Sequence, residues 1–212
     1  MLDYAEYTKL FVGLFAVVNP LGAVPLFISM TAAESPIERR ATINHVAESL
    51  VIILLVSLLL GEQILGFFGI TIDSFRVGGG ILILLMAIAM LHAKTSPIRQ
   101  TDEEADESVD RSSVAIVPLA MPLLAGPGAI STVILAAHKG SGVAHYAITA
   151  AGIVVLGAAV WGVLQLSPWI TRRISATGIN VFTRIMGLIL SAIAVEFIAN
   201  GVRGLFPALG AA

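Results

Sequence analysis

The sequence predicts an all-helical membrane protein with six transmembrane helices, arranged as two inverted three-helix repeats in which helices 1 and 4 are discontinuous. Three observations point there: a composition too apolar for water, six long, mostly apolar stretches, and matched Pro-Gly interruptions in the two halves. Of the 212 residues 57% are hydrophobic and 12% charged, with a mean hydropathy of +0.94. Soluble domains carry about twice that share of charge. So few charges cannot cover the outside of a chain this size, and lipid must be part of its solvent.

The same numbers exclude several functions. A net charge of −2 argues against nucleic acid, which requires a basic surface. The chain has no cysteine, so disulfides, thiolate metal sites and cysteine nucleophiles are ruled out. No metal-ligand spacing occurs among its histidines, and no cofactor motif is present. The first residues carry Asp3 and Glu6 where a signal peptide would be basic, so the first apolar segment is expected to remain as a helix.

A span needs roughly 20 apolar residues at about 1.5 Å each. Candidates run over residues 10–31, 43–69, 74–93, 112–137, 146–171 and 181–205. The second reaches full length only with Glu48 and Glu62 near opposite interfaces or inside the bundle. Residues 94–111 form an acidic segment, best read as a solvated linker, which divides the chain into 1–93 and 112–212 within one membrane domain. Loops after spans one, three and five hold Arg39, Arg40, Lys94, Arg99, Arg111, Arg172, Arg173 and Arg184, against Lys9, Arg76, Lys139 and Arg203 on the other side. By the positive-inside rule both termini face away from the cytoplasm.

The halves share landmarks. Pro20 and Pro127 are 107 positions apart, and Arg76 and Arg184 are 108 apart. Two features recurring at nearly one offset suggest a duplicated three-span unit, and an odd number of spans inverts the second copy. Asn19-Pro20-Leu21-Gly22-Ala23-Val24-Pro25 interrupts the first span and Gly126-Pro127-Gly128-Ala129 the fourth. Proline donates no amide and clashes with the preceding turn, so backbone groups are expected to lose their helical partners there. In hydrocarbon such groups survive only where protein or trapped water satisfies them. Two half-helices meeting at the bilayer centre would offer amides to a carboxylate and carbonyls to a cation. The expected substrate contacts are Asn19, Pro20, Gly22, Ala23, Pro25, Gly126, Pro127, Gly128, Ser131 and Thr132.

The run Asn19 to Phe27 (N-P-L-G-A-V-P-L-F), the run Pro122 to Thr132, and the segment Asn180 to Gly201 resemble the MarC family of integral membrane proteins over nearly the whole chain. The resemblance implies a six-span inner-membrane protein and, by analogy with some members, a carrier for small neutral amino acids such as glycine or alanine. Glu196, inside the sixth span, and Glu48 are candidates for proton coupling, because an intramembrane carboxylate is costly to keep; H+ or Na+ would then drive transport. Arg76 and Arg184 read as interface anchors. No hydrolase, protease or phosphate-binding motif appears, so an enzyme is not expected. An exporter of other small metabolites and a non-transporting membrane subunit are the competing readings.

Overall fold

Helix caps written into the sequence set most of the element boundaries. A computed structural model of the chain describes residues 2–32, 34–92 and 124–210. Helix α1 (Tyr4–Val18) opens on a reciprocal cap: the Glu6 amide donates to Asp3 Oδ1 at 2.7 Å, and the Asp3 amide to Glu6 Oε2 at 3.2 Å. After Asn19 comes α2 (Pro20–Met30). Helix α3 (Pro36–Phe67) starts with a second such box, Ser35 with Glu38, and proline at its first position. Thr71 caps α4 (Ile72–Leu91). Then follow α5 (Pro127–Lys139), α6 (Val143–Gln165), α7 (Ser167–Arg173) and α8 (Ala176–Leu205), with a 3-10 turn at Pro207–Gly210.

Among the described residues five stretches are long and apolar enough to cross a membrane: Tyr4–Met30, Pro36–Phe67, Ile72–Leu91, Val143–Gln165 and Thr177–Leu205. The acidic segment 94–111 and residues 112–123 of the fourth expected span, with Pro118 and Pro122, lie outside the described residues. Two boundaries differ from expectation. Thr71 caps α4 early, which brings Asp73 into its first turn beside Arg76. The fifth expected span divides at Leu166, because Pro168 donates no amide; α6 ends there and the short α7 begins.

Helix α5 is the centre of the bundle. Ser131 through Ala137 are buried without a break, so this stretch has no outward face, and the helix touches α1, α3, α4 and α6. Around it the other helices bury one side and turn Val12, Ile52, Leu59, Val155 and Leu188 outward. That is inverted for water and correct for lipid.

The closest helix pair is α4 with α8, and it is antiparallel. A Cβ at Gly80 would lie 3.0 Å from the Ala194 carbonyl oxygen, and one at Gly187 would lie 3.0 Å from that of Ala87. One at Gly201 would lie 2.8 Å from that of Asp73. Going from Asp73 to Gly80 to Ala87 along α4, the partners run backwards from Gly201 to Ala194 to Gly187, two turns at each step. A bare backbone on one side of every contact lets the helices approach closely enough for dispersion and Cα–H···O contacts, the main adhesive where lipid supplies no hydrophobic drive. Helices α3 and α6 are also antiparallel, tied by Trp161 Nε1 donating to Asn44 Oδ1 (2.8 Å), and Arg39 Nη2 of α3 donates to Ser167 Oγ at the start of α7 (3.0 Å).

Candidate functional site

The first helix is broken where the sequence places the break, but more tightly than expected. Only Asn19 leaves the helix, at φ 46° and ψ 63°, the left-handed region that asparagine tolerates better than most residues. Its amide closes α1 by donating to the Phe15 carbonyl (2.9 Å), and its Oδ1 opens α2 by accepting from the Gly22 amide (3.3 Å). The expected unwinding across Asn19 to Pro25 is therefore corrected. The helix resumes at once, because proline suits the first helical position, and it continues through Pro25. Gly22 must lack a side chain, since its Cβ would overlap the Asn19 amide group.

At the second interruption α5 begins at Pro127, with extended Gly126 before it and no side-chain cap. The two breaks are neighbours. A Cβ on Gly128 would lie 3.2 Å from Val17, two residues before Asn19, and equally close to Ile83 and Met86 of α4. Asn19, Pro20, Ala23, Gly126, Gly128, Ser131 and Thr132 are buried, whereas Pro25 and Pro127 are exposed on the outside of their helices. Ser131 packs on Gly79, where a Cβ would come within 2.9 Å of its hydroxyl oxygen, and Thr132 donates to the Gly128 carbonyl at 2.8 Å.

A cavity of about 610 Å³ runs down between α1, α4, α5 and α8 toward these breaks. From Glu6 to Val17 its wall follows α1 for eleven residues, a depth of about 16 Å. Val17 and Thr132 mark the deep end, Val17 two residues before Asn19 and Thr132 five after Pro127. Of the residues expected to touch substrate only Thr132 lines this space, and of the two carboxylates considered for coupling only Glu196 does. Glu48 lies on the outer surface of α3, its side chain 67% exposed and 3.9 Å from His45.

Charge is concentrated in the cavity. Lys9, Arg76 and Lys139 face it with Glu6 and Glu196, and Asn200 adds an amide. Lys9, Arg76 and Lys139 thus share one end of the bundle, as the loop count grouped them. Arg76 is not the simple interface anchor expected from sequence. Its side chain is only 19% exposed, and Nη1 reaches Asp73 Oδ1 at 3.3 Å. The signal missed was the register of α4 against α8, which turns Arg76 inward, whereas its counterpart Arg184 is exposed.

Behind the cavity wall, His145 is fully buried and joins three helices. Its Nε2 lies 2.9 Å from the Ala136 carbonyl, which can only accept, so that nitrogen carries the hydrogen. Nδ1 is then free to accept from the Tyr7 hydroxyl at 2.7 Å.

The Asn19 turn can be tested directly. Asn19→Ala loses both the cap and the tolerance for positive φ, and is expected to cost about 2 kcal/mol; Asn19→Gly keeps the turn and should cost under about 1 kcal/mol. Unfolding midpoints in detergent would check the order, and equal losses would mean that the left-handed turn is not what asparagine supplies.

Apolar helices packed in several antiparallel passes, with charge withdrawn into an internal cavity, define a multi-pass integral membrane protein. The chain belongs to the MarC family: the profile described as MarC family integral membrane protein matches residues 4–206. It is similar to the UPF0056 membrane protein YhcE of Escherichia coli (strain K12), 44% identical over 98% of this chain and 96% of that protein. The UPF0056 membrane protein YvbG of Bacillus subtilis (strain 168) is 38% identical, over 97% of this chain and 98% of its own length. No solved structure matches.

Proposed function

We propose that this protein is a secondary carrier for small neutral amino acids of glycine or alanine size, working in the bacterial inner membrane with both termini outside the cytoplasm. The observation that carries the reading is the charged cavity of about 610 Å³ ending beside the two helix breaks. A site of that kind suits a small zwitterion: it is lined by polar groups, bears both signs of charge, and ends at depth beside Val17 and Thr132. Transport then needs a second state open to the other side.

An inverted repeat would supply that state, and the α4–α8 contact supports one. Shifting Gly80 and Ala194 by 107 positions in opposite directions produces Gly187 and Ala87, the other contact in the same interface. The same shift relates Ile83 to Leu190, both fully buried at the centre of that interface, and Pro20 to Pro127, each the first residue of a half-helix. Rocking one repeat against the other about this axis would exchange the cavity for its counterpart at the opposite end. Glu196, open to the cavity, is the carboxylate placed to exchange a proton with it.

Purified protein in liposomes preloaded with unlabelled alanine is expected to accumulate radiolabelled glycine by counterflow, and faster with an imposed H+ or Na+ gradient if that ion is coupled. Absence of counterflow for glycine, alanine and serine alike would remove the carrier reading and favour a non-transporting subunit.

A further inference from the structure

We infer that Arg76 and Glu196 are the two ligands that recognise the ends of the zwitterion, Arg76 holding its carboxylate and Glu196 its ammonium group. The inference rests on the carrier reading above and names the specificity residues of that site.

The assignment follows from which charges in the cavity are already engaged. Glu6 is committed to the α1 cap, accepting from the Asp3 amide. Among the described residues Glu196 makes no ion pair within 4.0 Å, and no side-chain hydrogen bond is formed by it. It is the one acid in the cavity with both oxygens available. Of the cations, Lys139 ends α5 at the cavity mouth, and Lys9 lies on an exposed turn of α1. Arg76 is the most enclosed, and the Asp73 contact occupies one of its five N–H donors. A guanidinium presents a planar fork matched to a carboxylate, and it gains more from an anion when water is largely excluded.

The register puts the two groups at one level. Along α4, Arg76 falls between Asp73, which meets Gly201, and Gly80, which meets Ala194 and Ile198. Its level on α8 is therefore close to Ile198, half a turn from Glu196. Lys9 and Leu10 approach the same level from α1, since Gly13 packs on Ile193 one turn deeper. A glycine or alanine bridging Arg76 and Glu196 would have Ile193, about one turn deeper than Glu196, as its apolar neighbour on α8. Asp73 holds Arg76 from the mouth side and is a positioning residue.

Competition against labelled glycine uptake separates the two ends. In wild type, alanine should compete well, and both propionate and ethylamine weakly. Glu196→Gln should raise the KM for glycine by on the order of tenfold or more while propionate becomes a relatively better competitor. Arg76→Ala should raise it similarly while favouring ethylamine; Arg76→Lys, which keeps the charge and the Asp73 pair, serves if the alanine variant does not fold, and should also show a raised KM because the fork is lost. Variants that transport glycine with wild-type KM and wild-type competition would overturn the assignment and leave the carrier reading standing. A wild type inert toward every small amino acid would instead remove the carrier reading, and the assignment with it.

Discussion

Replacing His145 with alanine is expected to destabilise the bundle by about 3 kcal/mol, the largest loss for any single polar side chain described here. The imidazole is fully buried, with Nε2 bonded to the Ala136 carbonyl and Nδ1 to the Tyr7 hydroxyl, so it ties α6 to both α5 and α1. Removing it leaves a cavity, a buried carbonyl and a buried hydroxyl without partners. Tyr7→Phe removes one bond and no volume, and should cost about 1 kcal/mol, in the range found for single hydrogen bonds between membrane helices. Gly140 leaves the ring its space, since a Cβ there would come within 2.6 Å of the imidazole Cγ. The check is a double-mutant cycle read by unfolding in mixed micelles. Coupling of Tyr7 and His145 near zero would show that the short contact does not hold the helices together.

The second large effect concerns glycine spacing in α4. Gly80→Val should cost about 3 kcal/mol, because the new side chain meets backbone, the Ala194 carbonyl oxygen at 3.0 Å and the Ile198 amide nitrogen at 3.1 Å, which cannot rotate away. Gly78→Ala, two residues earlier, has nothing within 4 Å of its Cβ and should be neutral or slightly stabilising, since alanine is the better helix former. Thermal unfolding of the two variants in the same detergent distinguishes them. Similar midpoints would mean that α4 and α8 are not in close backbone contact. The sequence shows three consecutive glycines as one block; the fold assigns Gly80 to α8, Gly79 to Ser131 of α5, and Gly78 to no neighbour.

The helix breaks were legible because their chemistry is local. Proline at the first position of α2 and of α5 loses nothing there, and asparagine before it can both turn left-handed and cap. What could not be read was how completely Asn19 would satisfy its own turn. A string of prolines and glycines looks like several residues of orphaned backbone, yet one asparagine side chain and a favourable proline position reduce it to a single residue.

The candidate site divides in the same way. Thr132 and Glu196 are site candidates from sequence and do face the cavity, while Lys9, Arg76, Lys139 and Asn200 are not among the expected site residues. Each of those belongs to a different helix or a distant turn, and nothing in its own neighbours reveals that it faces inward. Glu48 shows the converse, an acid in an apolar stretch that the fold turns outward beside His45.

By itself the sequence determined the class of solvent, the apolar helical stretches, and the segment in which the first helix breaks, because each depends on side chains close together in the chain. The tertiary structure alone decided which charges share a cavity and which glycines carry a helix contact. Those depend on the register between helices far apart in the chain, where rotating a helix by one residue, about 100°, moves a side chain from the interior to lipid.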